Sequence, residues 1–337
     1  MLDHFLRSRL LRLAEWRQAS YLTADMRTLP SFFIAVSIVA GCGQESAKSG
    51  SEFKTLLEAR RGFTTKLVRQ VKAGDAVPQP PAGVLKAVNY QSPIGEMAAY
   101  VSPPAGDGKR HPAIIWLFGG FANSIGEIAW HKGPAGNDQS AIVFREAGIL
   151  MMYPSLRGGN KNPGFTENFY GEVDDVLAAA DYLSKLDCVD TNRIYLGGHS
   201  TGGTLALLVA ESTNRFRSVF CFGPVTSVIG YGTEHLTFDT GSRRELELRA
   251  PVKWLEKIHE PAFVFEGTGE PSNISSLRAL ARATRNPKLH FLPVEGATHF
   301  TILRPISRLI AQKILHDDGP ESNIVFDEKE LAGAMRQ

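Results

Sequence analysis

The run Tyr195-Leu196-Gly197-Gly198-His199-Ser200-Thr201-Gly202-Gly203-Thr204 constrains this chain more than any other stretch. It reads G-x-S-x-G at Gly198, Ser200 and Gly202. Before it lies an apolar run with strand character, Arg193 to Leu196; after it lies Thr204 to Ala210, with helix character. A strand that turns this sharply into a helix leaves no room for side chains beside the central serine, and glycine on both sides removes the β-carbon clash. Ser200 is then held at a helix N-terminus, where backbone N–H groups and the helix dipole favour developing negative charge. An ordinary strand-to-helix turn can carry the same pattern, so the residues that could serve the hydroxyl decide its meaning.

A serine hydroxyl is a poor nucleophile until a base takes its proton, and the base needs an orienting acid. With this kind of elbow the chain order is Ser, then Asp or Glu, then His. Of the nine histidines, His299 has that order and placement. It follows the strand-like run Lys288 to Val294 and precedes the last expected helix, Ile302 to Leu315. The acid should follow the preceding strand, Pro261 to Phe265. Glu270, three residues after Gly267, is the expected acid; Glu266, which closes the strand, is the alternative. The developing oxyanion needs two backbone donors. One is the N–H of Thr201. The other belongs to Gly120 or Phe121, in the double-glycine loop after the strand Pro112 to Leu117.

With these segments in view, the chain resembles the α/β-hydrolase superfamily and, within it, the prolyl oligopeptidase-like hydrolases. The resemblance rests on Phe118-Gly119-Gly120-Phe121, on Tyr153 to Gly159, on Glu172 through Leu183, and on Val189 to Ile194 leading into the elbow; it covers residues 84 to 316. It implies a serine hydrolase acting on an ester or a peptide bond. That family commonly has a histidine where this chain has Phe118, and usually an aspartate where Glu270 stands. Its larger peptidases carry a β-propeller ahead of the catalytic domain. The stretch between residues 42 and 84 has no room for one, which favours a broader esterase activity. Two rival functions fit the same residues: a hydrolase fold kept only for binding, and an acyl- or peptidyl-transferase using the same serine.

Composition narrows the classes. A formal net charge of +2 over 337 residues argues against nucleic acid as the main ligand, because phosphate binding needs a concentrated basic patch. There is no zinc motif, P-loop or dinucleotide fingerprint, so neither metal nor cofactor is expected. At the N-terminus, Met26-Arg27-Thr28 precedes an apolar run from Leu29 to Val39 and then Ala40-Gly41-Cys42. A basic start, a short apolar run and small residues before a cut form a secretory signal. Val39-Ala40-Gly41-Cys42 resembles the bacterial lipoprotein box, which implies a lipidated Cys42 as the mature N-terminus and anchorage in a bacterial membrane, facing the periplasm or cell surface. The remaining cysteines, Cys188 and Cys221, do not make a disulfide framework.

The expected organisation is an export segment (1–41), a tether and N-terminal helix (42–82, the helix from 52 to about 72), a catalytic domain (83–317) and a C-terminal tail (318–337). The pattern predicts strands near 84–90, 97–101, 113–117, 148–153, 193–197, 218–222, 261–265 and 288–294. Helices are predicted near 138–147, 171–186, 201–212, 251–259, 273–285 and 302–315. This alternation predicts an α/β-hydrolase fold, with an eight-stranded, mostly parallel sheet and helices on both faces. Sites in such sheets gather at the carboxyl ends of strands, where Ser200, Glu270 and His299 fall. The long connection from Gly223 to Ala250, after the sixth strand, reads as a small cap over the pocket. Trp130, His131 and Arg157 are candidates to line that pocket.

Overall fold

The structure, a computed structural model, describes residues 53–336; the signal-like segment and Cys42 lie outside them. The strands are β1 (Lys86–Ser92), β2 (Gly95–Val101), β3 (His111–Leu117), β4 (Leu150–Pro154), β5 (Val189–His199), β6 (Val219–Phe222), β7 (Ala262–Gly267) and β8 (Leu289–Val294). They form one eight-stranded sheet in the order β1-β2-β4-β3-β5-β6-β7-β8. The β1/β2 and β2/β4 pairs are antiparallel. From β4 onward every pair is parallel.

Successive side chains of a strand point to opposite faces, and here both faces are buried, as parallel sheets require. Ala113, Ile115, Leu196, Val219, Cys221, Ala262 and Val264 face one core. Helices α3 (Gly171–Leu183), α4 (Thr201–Ala210) and α6 (Ile274–Ala283) cover that face through residues such as Val173, Leu205 and Leu277. The alternate residues Ile114, Trp116, Tyr195, Phe220, Phe222, Phe263 and Phe265 face the other core. It is closed by Phe144 of α2 (Val143–Glu146) and by Ile306, Ile310 and Ile314 of α7 (Leu303–Leu315). Aromatic rings on this face stack from strand to strand. Tyr195–Phe220 centroids lie 6.2 Å apart, Phe220–Phe263 5.7 Å and Phe222–Phe265 5.2 Å. Such a row ties the register of the strands whose ends carry the elbow.

Three expected elements differ. The N-terminal helix is a single short piece, α1 (Leu56–Arg60), capped by the Thr55 side chain. Gly62, at φ +74°, breaks it. Beyond Gly62 the backbone groups find partners outside a helix. The Lys66 amide donates to Glu245 at 2.6 Å, the Val68 and Arg69 amides donate to the Thr237 carbonyl, and Lys66 O accepts from Asp239 N. The segment therefore runs extended along the 236–239 stretch of the cap. The expected helix over 138–147 shortens to α2, and that over 251–259 resolves into two 3-10 turns, Pro251–Lys253 and Leu255–Lys257. The C-terminal stretch carries helix α8 (Glu328–Ala334), started by a capping box of Asp327 and Glu330. Leu331 is buried in the second core.

The cap contains helix α5 (Arg243–Glu247) and two 3-10 turns, Val228–Tyr231 and Thr233–His235. A fully buried Arg249 holds it down. Its guanidinium pairs with Glu245, donates to the carbonyl of Asn168 at 2.8 Å and lies 4.0 Å from the centre of the Phe238 ring. Arg157, one of the residues expected at the pocket, is likewise structural. It is buried and donates from Nε and Nη2 to Asp175, and from Nη1 to Glu167 at 2.8 Å. Trp130 packs edge-on against Tyr100 in the second core, and exposed His131 faces Glu127. None of the three lines the cavity bordered by Gly120, Phe121 and Thr201.

Glu211, immediately after α4, is fully buried, and neither carboxyl oxygen has a partner among the described residues. Burial pushes its carboxyl well above the ordinary value. The neutral form is thus the one that folds, and its contribution is complete below the ordinary carboxylate range and lost as pH rises toward the raised folded value. Between those limits the native state keeps a proton the unfolded chain has released. Stability should then fall by about 1.4 kcal/mol per pH unit relative to a non-titrating residue. Urea unfolding of Glu211→Gln should give a flatter pH profile than the unaltered protein from pH 5 upward. Parallel profiles would show that Glu211 does not titrate in this way.

Candidate active site

Strand β5 runs to His199 and α4 starts at Thr201, so Ser200 alone makes the turn, at φ +56° and ψ −115°. Its neighbours show why glycine is needed. A β-carbon on Gly198 would lie 2.5 Å from the Gly202 carbonyl oxygen, and one on Gly202 would lie 2.3 Å from that of Leu117. The Ser200 amide donates to Phe222 O at 2.7 Å, which pins the turn to the end of β6. At the first turn of α4 the Thr201 amide has no intrahelical acceptor.

The histidine loop meets the elbow at this end of the sheet. His299 follows β8, and its ring lies 4.5 Å from the ring of His199, centre to centre. Its Nδ1 lies 2.8 Å from Oε2 of Glu266. Glu266 is 1% exposed, and its other oxygen accepts the Gly267 amide at 2.8 Å. The expected acid Glu270 is exposed and makes no such contact. The correction has a simple cause. Glu266 is still in β7, so the buried end of the strand delivers its carboxylate to the histidine. By Glu270 the chain has turned outward, in a loop fastened by the Gly269 amide to Ala297 O and by Ser272 Oγ to Gly267 O.

Gly223, just past β6, is part of the arrangement although nothing in the sequence singled it out. It sits at φ +59°, and a β-carbon there would lie 2.3 Å from His299 Cε1 and 2.5 Å from Glu266 Oε2. The carboxylate and imidazole therefore pack directly on bare backbone. Its only sequence signal was position: a glycine at the carboxyl end of the strand between the elbow strand and the acid strand.

The double-glycine loop lies on the other side of Ser200. Gly120 has φ +95°, and its carbonyl accepts from the Thr201 hydroxyl at 2.5 Å. This bond ties the loop to the first residue of α4 and turns the Gly120–Phe121 segment toward the elbow. Thr201, Gly120 and Phe121 border one cavity of about 50 Å³, with Leu156, Phe169 and Leu205 among its walls. The cap closes over this side. Phe121 stacks on His235 at 4.7 Å and meets Tyr231 edge-on at 5.7 Å, while Tyr231 stacks on Phe169 at 5.8 Å. The Tyr231 hydroxyl lies 2.7 Å from Thr204 Oγ1. Burial pushes this phenol up, against the pull of the Thr204 and Ser200 hydroxyls, so it stays protonated. Among the described residues no group of three or more His, Cys, Asp or Glu could hold a metal ion, and no helix is long and apolar enough to cross a membrane.

Comparison with known proteins bears on the fold. The sequence profile of the prolyl oligopeptidase family matches residues 136–263. The chain is 26% identical over 208 residues to the alpha/beta hydrolase domain-containing protein WAV2 of Arabidopsis thaliana, covering 56% of this chain and 64% of that one. It is 25% identical over 224 residues to the uncharacterized peptidase YtmA of Bacillus subtilis, covering 63% of this chain and 82% of that one. Among solved structures, a puromycin-hydrolyzing peptidase of Mycobacterium tuberculosis superposes with a TM-score of 0.56 at 20% identity, over 69% of this chain and 39% of that one. The acylaminoacyl peptidase of Pyrococcus horikoshii superposes at 0.55 and 12% identity, over 73% of this chain and 44% of that one. The chain thus spans about two fifths of these solved chains, and at such identities the likeness is one of fold.

The packing at Gly223 is directly testable. In Gly223→Ala the added methyl must displace the His299 ring or the Glu266 carboxylate. The rate at which a fluorophosphonate labels Ser200 should fall at least about 10-fold, since small misplacements of reacting groups cost that much or more. Thermal unfolding should still be cooperative. An unchanged labelling rate in a folded Gly223→Ala protein would show that the pair does not need that glycine.

Proposed function

We propose that this chain, a prolyl oligopeptidase-like α/β-hydrolase, is a serine hydrolase that cleaves an ester or peptide bond through an acyl-enzyme on Ser200. The observation that carries this reading is the 2.8 Å bond from His299 Nδ1 to buried Glu266, at the end of the sheet where the strained Ser200 turn lies. With Nδ1 held by the carboxylate, His299 Nε2 takes the Ser200 proton as Oγ attacks the carbonyl carbon. Glu266 fixes the tautomer and stabilises the imidazolium that forms. The Thr201 amide and an amide of the Gly120-Phe121 segment meet the oxyanion. The imidazolium then gives its proton to the departing alcohol or amine, and water, activated by the same imidazole, releases the acyl group. The rings of Phe121, Phe169 and Tyr231 favour an apolar group on the substrate.

Turnover of p-nitrophenyl esters beside aminoacyl p-nitroanilides tests the reading and separates the two bond types. Ser200→Ala should remove nearly all turnover without loss of folding. Glu266→Gln should lower kcat by up to about 10⁴-fold, as loss of the orienting carboxylate does in other triads, while Glu270→Gln should have little effect. A larger loss from Glu270→Gln would return the acid role to Glu270. Full activity in Ser200→Ala would end the hydrolase reading.

We further propose that Cys42 is lipidated and anchors the domain to a bacterial membrane. The support is the segment Met26 to Cys42 alone. Two acyl chains on one cysteine suffice for stable anchoring where a single chain is marginal. Intact mass spectrometry of native protein should find Cys42 first and acylated, and an unmodified chain that retains residues 26–41 would refute the anchor.

A further inference from the structure

The side chain just before the nucleophile is placed like a working part of the site. His199 is 1% exposed. Its Nε2 lies 3.0 Å from the backbone carbonyl oxygen of His299, and its ring lies 4.5 Å from the His299 ring at an interplanar angle of 43°. Its Nδ1 lies 3.0 Å from the side-chain oxygen Oε1 of Gln139, whose Nε2 donates to Asn137 Oδ1 at 3.1 Å and whose main-chain carbonyl accepts from Trp116 Nε1 at 3.1 Å. A β-carbon on Gly119 would lie 2.9 Å from Nδ1. One imidazole thus touches the elbow, the histidine loop and the double-glycine loop.

We propose that His199 is a positioning residue for the reaction: by donating its Nε2 proton to the main chain of His299, and packing against that ring, it sets where the base sits relative to Ser200. The chemistry of the contacts fixes its state. A backbone carbonyl only accepts, so Nε2 must carry the proton. Burial and the neighbouring His299 hold the His199 pKa down to about 3, so the ring stays neutral at ordinary pH. Nδ1 then carries the lone pair. The carbonyl of His299 can only accept, whereas a side-chain amide can present either end, and paired half-turns of the Gln139 and Asn137 amides bring NH2 to Nδ1 while keeping the bond between the two side chains. A neutral ring has a second merit here. The charge that develops on His299 during turnover is answered by Glu266 alone, with no second cation beside it.

This inference rests on the hydrolase reading. Its test uses two substitutions of similar polarity. Gln places its amide nitrogen where Nε2 was; Asn reaches only as far as Nδ1. Rates are taken per active site titrated with fluorophosphonate, so that misfolded protein does not count. His199→Gln should keep kcat within about 3-fold of the unaltered enzyme. His199→Asn should lose about 10- to 100-fold, the scale of a small displacement of a catalytic group, with KM little changed and Ser200 labelling slowed in parallel. Asn and Gln variants of equal rate would overturn the proposal, as would a loss confined to KM. A second measurement needs no variant. Nitrogen-15 spectra of the histidines should find His199 as the neutral Nε2–H tautomer from pH 5 to 8, and a neutral Nδ1–H form or an imidazolium there would also overturn it. If the unaltered protein is not labelled at Ser200 at all, the hydrolase reading fails and takes this inference with it. Labelling of the unaltered protein with equal rates in both variants sinks this inference alone.

Discussion

The candidate site depends on one close approach of backbone to backbone. Helix α4 begins so near the ends of β3 and β6 that Gly198, Gly202 and Gly203 have no space for a β-carbon, their nearest contacts being carbonyl oxygens at 2.5, 2.3 and 2.4 Å. Ser200 takes the strain of the turn at φ +56°, in a region that disfavours every residue with a side chain. What holds it there is the parallel sheet. The Ser200 amide is bonded to Phe222 O, the Gly223 amide to Phe265 O, and the Thr268 amide to Val294 O. Each bond links one strand end to the next, from β5 to β8. The geometry at Ser200 and at His299 is therefore one geometry, transmitted across three strands by ladder bonds and stacked phenylalanines.

That transmission explains what could be read from sequence and what could not. The strands were legible because their buried alternation is carried by runs such as Ala113 to Leu117 and Ala262 to Phe265, whose residues divide cleanly between two cores. The elbow was legible because its contacts are local and only glycine satisfies them. The acid was not. Glu266 and Glu270 differ by one turn of a loop, and which of them meets His299 depends on how far β7 extends before the chain leaves the sheet. That length is set by pairing with β8 as far as Gly267–Val294, a contact between residues far apart in sequence. Gly223 and His199 were missed for a related reason: each earns its place through neighbours brought in from other strands.

The N-terminal segment failed differently. Phe53, Leu56, Leu57, Phe63 and Leu67 have helical spacing, yet beyond Gly62 the chain is extended. Helix propensity was outweighed by specific partners. The buried carboxylate of Glu245 accepts from both Thr65 Oγ1 and Lys66 N, and Arg60 pairs with Asp174 while stacking at 4.3 Å on Tyr170. A period of hydrophobic residues reports which face is buried. It carries no information about a charged group elsewhere that offers the backbone better bonds than a helix does.

These buried charges also separate the cap from the chemistry. Arg157 and Arg249 are paired with carboxylates and carbonyls on the α3 side of the sheet, and the side they leave toward Ser200 is covered by Phe121, Phe169 and Tyr231. Near Ser200 the Glu266 carboxylate and the His299 imidazole face each other, with the His199 ring and the Tyr231 phenol held neutral beside them. An isolated carboxylate in such surroundings is costly unless something cationic forms against it. In the proposed reaction the proton that His299 takes from Ser200 meets that need. In that reaction the apolar rings of the cap and the uncharged His199 ring act to the same end, since each keeps competing charge away from the His299 imidazole as it takes the Ser200 proton.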